Sequence, residues 1–588
     1  MKPVLISALA FSFGLVTGCA NGPEAQVTQE KAADTVFVDA LVYTVNEQQP
    51  WAQAVAVKDG EIVFVGSNEG ANALIGQHTQ VTDLDGKMLL PGFIDTHAHP
   101  ILAAGMSHAL ELSLEDDESV WLEQIADYVA SNPNMESYLG FGFYAAKMKT
   151  LPSKEMLDKI TAHKPIVLMD AGGHSAWVNS KALEIAGIDK NTPDPIPGSH
   201  FYQRNADGSP TGYCLESQTF FPLMQAVNAI TTQGMVKGSE ELFWLMNSAG
   251  ITTVYDAGMM GFENLGYQAY QQLEAKGALP LRIVGSYMVQ NPNQIPHAIN
   301  RLKSLKLKYS SELVRPHVMK IHNDGTKEAY TAAMFEDYAG QPGNKGGTLL
   351  DQSTLTKLVR DVSKEGFDIH IHAIGDKAVH EALNAFERAR LDNLTHKPRF
   401  SMAHNELILD EDLSRFAQLD VVAQTTPFWF AGGDGQFEID AVGIERAEKL
   451  YRFKAVQDAG AKLTFGSDFP ASEGMGGLFP TYNIEMGMTR QAVGEPQSRR
   501  AKPLNSLLTL ETMIKGYTLN AAYQLNMEEE IGSIEVGKKA DLVVLQDNLF
   551  EVDVYDIHGV RVDSSYVNGK QVYARNWQSW LAELVLDI

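Results

Sequence analysis

Eight short β-like runs recur along the chain with helical stretches between them, and few folds are open to a sequence patterned that way. They span residues 93–97, 251–255, 281–287, 317–321, 367–372, 400–404, 421–425 and 463–466. Helical segments such as 377–390 and 444–459 separate several of them, so the economical closure is an α/β fold, a (β/α)8 TIM barrel. The interval between the first two runs exceeds the needs of one βα unit. Residues from about 100 to 240 are therefore expected to form an insertion at the barrel mouth, where loops carry function.

Short β-rich runs with turn signals occupy both flanks, for example Ala54-Val55-Ala56-Val57 before Asp59-Gly60 and Asp541-Leu542-Val543-Val544-Leu545 near the other end. One small β-sandwich assembled from 35–91 and 526–588 is expected, with the barrel as 92–525. Residues 1–18 have the layout of a secretory leader, with Lys2, an apolar run and the small residues Thr17-Gly18 before Cys19. Leu15-Val16-Thr17-Gly18-Cys19 resembles a bacterial lipobox, which implies acylation of Cys19. Residues 19–34 would then be a tether, and the protein would be exported and held by its lipid at a membrane, the outer one or its periplasmic face in a two-membrane cell. An acylated Cys19 leaves Cys214 without a disulfide partner, and Cys214 is expected as a buried small hydrophobe. The net charge of -26 argues against a nucleic-acid partner, because such binding needs clustered cations. Oligomeric state is not readable.

His97 and His99 stand two apart on one predicted strand, so both side chains point the same way. Alone, that pair is weak evidence for a metal. Lys320, His372, His404 and Asp468, however, each fall at or just beyond the C-terminal end of a later run. All six would face one barrel mouth, where this fold keeps its catalytic groups.

The order Pro91-Gly92-Phe93-Ile94-Asp95-Thr96-His97-Ala98-His99, then Lys, His, His and Asp, resembles the amidohydrolase superfamily. Gly173-His174-Ser175-Ala176-Trp177-Val178-Asn179-Ser180, Lys320 followed by Asp324-Gly325, His372-Ala373-Ile374-Gly375-Asp376 and Gly466-Ser467-Asp468 are similar to amidohydrolase family 3, the group that includes N-substituted formamide deformylases. The resemblance implies two metal ions, zinc by ligand chemistry, with His97, His99 and Asp468 on one, His372 and His404 on the other, and a carboxylated Lys320 between them. It also implies a metal-activated water that attacks the C–N bond of a small amide or of an N-acyl or N-formyl amine, with Asp468 either passing the proton to the leaving amine or acting purely as a ligand.

Three alternatives stay open: a mononuclear deaminase, a lactone or ester hydrolase of the same fold, and a non-catalytic binding lipoprotein. His370, His322 and Asp95 are left out of the ligand set as inner-barrel residues. His174, within the insertion, is a candidate for substrate binding. Asp376 suits a helix N-cap, and Thr426-Pro427-Phe428-Trp429-Phe430 suits either an aromatic wall or core packing.

Overall fold

The computed structural model describes residues 32–195, 200–392, 397–431, 435–471, 475–577 and 579. The expected leader and Cys19 lie outside the described residues, as does nearly all of the tether. Eight parallel strands form the central sheet: β1 (Phe93–Ala98), β2 (Ile251–Asp256), β3 (Arg282–Val289), β4 (Val314–His322), β5 (Asp368–Ala373), β6 (Phe400–His404), β7 (Val421–Thr425) and β8 (Leu463–Phe465). They lie side by side in chain order, each registered on the next. Every residue of β1, β2, β3 and β5 is buried, as expected of parallel strands covered on both faces.

The ring is nearly closed. β8 and β1 do not share a ladder; beyond the end of β8, Asp468 N donates to His97 O at 2.7 Å and His99 N donates to Phe469 O at 2.8 Å. This seam between the last and first strands runs through three of the residues singled out by sequence.

Outer helices follow the expected periodicity where caps permit. In α1 (Gln352–Lys364), Leu355, Leu358, Val359 and Val362 recur at helical spacing and are buried, and Asp351 caps the N-terminus by accepting from Thr354 N. In α2 (Asp376–Arg390), Gly375 is the N-cap and Asp376 is already inside the helix. The cap expected of Asp376 is corrected accordingly: its carboxylate accepts from Phe335 N at 3.0 Å and holds the loop after β4. The single helix expected over 444–459 is two, Ile444–Ala447 and Phe453–Asp458. Between them Tyr451 has a positive φ of 56°, which a helix cannot carry, and its N–H is taken by Glu406 O.

Between β1 and β2 the chain builds a separate six-stranded sheet that includes Tyr138–Phe143, Ile166–Asp170, Ser175–Val178 and Pro210–Leu215. Gln218 fastens it to the mouth: its Nε2 donates to Gln290 O, just past β3, and its Oε1 accepts from Asn291 Nδ2. Cys214 is buried here, and burial pushes its thiol up to about 12. Two further sheets lie at the chain ends: a four-stranded one built from residues 35–83 alone, and a six-stranded one that both ends share. Met88–Pro91 pairs antiparallel with Leu542–Leu545, and one apolar core joins Phe37, Val55 and Leu89 to Leu542, Val544 and Tyr566. No helix among the described residues is long and apolar enough to cross a membrane.

Candidate metal centre

All six residues expected at the mouth meet there. The strands deliver His97 and His99 from the end of β1, Lys320 from β4, His372 from β5, His404 from β6 and Asp468 from just past β8, and all are buried. Asp468 Oδ1 lies 3.4 Å from His97 Nε2 and 3.3 Å from His99 Nε2, and the three side chains place ligand-type atoms within 4.8 Å of one another. Lys320 Nζ is 3.3 Å from His97 Nε2. The His404 ring centroid is 5.0 Å from that of His97 and 4.5 Å from that of His372, which joins the two halves of the cluster.

Hydrogen bonds to the far nitrogen aim three of these rings. His99 Nδ1 is 2.7 Å from Gly258 O, His372 Nδ1 is 2.9 Å from Asp324 Oδ1, and His97 Nδ1 is 2.9 Å from His370 Nε2, whose own Nδ1 reaches Ser401 Oγ at 2.7 Å. A His Nδ1 engaged outward leaves Nε2 for the centre, the arrangement metal-binding imidazoles need. His404 Nδ1 is buried with no hydrogen-bond partner among the described residues. His404 and Asp468 also sit at positive φ, 72° and 52°, conformations a non-glycine residue keeps only where its surroundings enforce them.

The electrostatics favour neutral nitrogens at every ring of the cluster but His99, where burial opposes the charge and the Asp468 carboxylate outweighs it, raising the imidazole above its ordinary range. Burial first, and then neighbouring cations, hold His97, His370 and His404 well below the ordinary imidazole range and His372 down to about 3. Burial likewise brings the Lys320 amine down to about 7, and among the described residues no carboxylate stands within ion-pair reach of its Nζ. A buried set of imidazoles, most of them held neutral, around one carboxylate and one lysine amine with a lowered pKa fits a cation far better than it fits an empty apolar core.

Three supporting groups escaped the sequence reading as participants. Asp324 accepts from His372 and from the backbone N–H groups of Ala333, Ile374 and Gly375; its only sequence signal is the Asp324-Gly325 step that follows His322. Asp95, set aside as an inner-barrel residue, clamps β1 to the end of β8 by accepting from His97 N, Ser467 N and Ser467 Oγ. His370 is the relay behind His97. His322 is half-buried, with its ring 4.4 Å from that of His372. The aromatic run after β7 divides its duties: Trp429 stacks on His404 at 5.5 Å, while Phe430 packs inward on Tyr451 and Phe453. His174 stands apart from the ligand cluster, beside Glu216.

A model of the amidohydrolase family matches residues 80–573, nearly all of the described chain. The chain belongs to the amidohydrolase family. This amidohydrolase is thereby a hydrolase of the family's metal-dependent kind. It is 26% identical to the N-substituted formamide deformylase of Arthrobacter pascens over 557 residues, 92% of this chain and 98% of that one. It is 32% identical to the exoenzymes regulatory protein AepA of Pectobacterium carotovorum subsp. carotovorum over 412 residues, 68% of this chain and 87% of that one. In fold, the amidohydrolase is similar to an uncharacterized metal-dependent hydrolase from Pyrococcus horikoshii OT3, with a TM-score of 0.71 at 21% identity, covering 88% of this chain and 99% of that one.

Proposed function

We propose that this amidohydrolase cleaves the C–N bond of a small amide, or of an N-acyl or N-formyl amine, at a two-zinc centre. His97, His99 and Asp468 would hold one ion and His372 and His404 the other, with Lys320 as a carbamate between them. The observation that carries the reading is the convergence of buried imidazoles, most with Nδ1 engaged outward, on Asp468 and on a lysine with no ion-pair partner among the described residues. A neutral Lys320 amine adds carbon dioxide to give a carbamate and one proton, and its burial favours the neutral form. When bound, the metals supply a water acidified toward neutral pH and polarise the scissile carbonyl. Asp468, beside both His97 and His99, is placed to accept a proton and return it to the leaving amine, so that an acid and an amine are released. The leader-like segment and Cys19 extend the proposal to an exported, lipid-anchored enzyme; an unmodified or uncleaved N-terminus in the mass of the mature protein would remove that part.

The test compares metal content and N-formyl and N-acyl amine hydrolysis in wild type, His97→Asn and Lys320→Ala. About two zinc equivalents in wild type, with turnover lost in both variants by at least ~100-fold, is the expected result. A folded wild type that takes up no metal, or whose zinc Lys320→Ala leaves undisturbed, defeats the two-metal reading.

A further inference from the structure

The insertion brings a second ionisable pair to the barrel mouth, outside the ligand set. His174 follows Gly173, whose φ is 72°, in a tight turn between Ile166–Asp170 and Ser175–Val178. Asp170 Oδ1 pins that turn by accepting from His174 N at 2.8 Å and Ser175 N at 2.9 Å. His174 Nδ1 is 3.0 Å from Glu216 Oε2, and Glu216 N donates to His174 O at 2.6 Å, so the two residues are joined through both side chain and backbone.

Glu216 sits at φ 68°, ψ 154°, a region in which a β-carbon is costly and glycine is the ordinary occupant. Glycine would relieve that conformation. What glutamate adds there is a carboxylate on the His174 ring.

The ring is not sealed in. The His174 side chain is 40% exposed, and Nε2 has no hydrogen-bond partner among the described residues. Gln218, two residues past Glu216, donates to Gln290 O just beyond β3, and its backbone N lies 3.3 Å from His200 Nδ1, so the pair is held at the barrel mouth beside His200. His174 therefore stands at the mouth above the ligand cluster and outside it, a position suited to the end of a bound molecule remote from the reacting carbon. Glu216, Asp170 and Glu328 surround it, and the Glu216 hydrogen bond is the main influence favouring the imidazolium. A substrate carboxylate would meet those like charges, whereas an uncharged carbonyl oxygen would not.

We propose that His174, aimed by Glu216 as its positioning residue, donates from Nε2–H to an uncharged carbonyl oxygen on the part of the substrate remote from the scissile bond. The inference rests on the hydrolase reading of the same site and narrows its substrates to amides that carry a second neutral carbonyl. Zinc-loaded full-length enzyme is assayed with N-acetyl amino-acid amides against N-acetyl alkylamines of equal length, and both probes are also titrated calorimetrically. Wild type is expected to favour the dicarbonyl probe. His174→Ala and Glu216→Ala should raise its KM about tenfold, with the loss falling on KM and zinc content unchanged. His174→Gln, which keeps an N–H near the Nε2 position, should recover part of the preference. Glu216→Gly should melt higher than wild type and still lose the preference, a signature that a purely structural glutamate would not give. Equal losses on both probes, a fall in kcat at constant KM, or loss of zinc overturns the proposal. If wild type hydrolyses neither probe, the N-acyl amine reading fails and calorimetry decides alone: dicarbonyl binding that weakens in Glu216→Ala supports the pair, and no binding rejects it.

Discussion

Asp324 does four things with one carboxylate: it aims the His372 ring and receives the backbone N–H groups of Ala333, Ile374 and Gly375. Burial nevertheless raises its pKa to about 7, so this site stands close to the balance between carboxylate and carboxylic acid until a cation favours the charged form. Asp324→Asn keeps the volume and one acceptor oxygen but removes the charge behind the imidazole. We expect zinc affinity or turnover to fall by roughly 10- to 100-fold with the fold retained, measured by zinc titration beside circular dichroism. Unchanged affinity and rate would show that His372 needs no such support. The six ligand-type residues were legible in sequence because each lies within three residues of a strand's C-terminal end, and strand ends share a face of the barrel. Asp324, Asp95 and Glu216 were not, because their roles depend on which neighbouring strand or turn stands beside them. The positive φ of His404 and Asp468 has no sequence signal at all, since neither residue type announces a left-handed conformation.

The barrel strands themselves were readable: their burial on both faces makes each a short apolar run, and every expected run is a strand at nearly its expected bounds. The element between β7 and β8 was misread because apolar spacing over 444–459 suits one helix, while the chain turns at Tyr451 to meet Glu406 O. How β8 meets β1 was also invisible. Gly466 is the residue that lets them approach: a β-carbon there would lie 2.6 Å from His97 N and 2.8 Å from Asp95 Oδ1. Gly466→Ala is therefore expected to push the end of β8 away from β1 and draw Asp468 off His97 and His99. Such overpacking costs about 1–3 kcal/mol. The melting temperature should fall and zinc bound per chain should drop, read by differential scanning calorimetry and metal analysis. A variant with wild-type zinc would separate the strand seam from the metal centre.

At the scale of the molecule, the barrel and the end-built sheets are fastened by charge as well as by apolar packing. Arg282, at the start of β3, is buried against Asp541 at 3.0 Å, and Asp541 also accepts from Asn568 N at 2.8 Å. A buried pair of this kind adds little stability over an apolar substitute, yet breaking it is costly because one charge is left unpaired, so it specifies how the two bodies meet. The pairing of Met88–Pro91 with Leu542–Leu545 has a different consequence, one of time. A ribosome delivers the first of these strands long before the second, and the whole barrel is made in the interval. The early strand must wait with an open edge, and closure across so long a loop is slow. Translation order thus keeps this ladder open until the C-terminal strand has been made, and leaves the edge of Met88–Pro91 exposed to wrong pairing in the meantime.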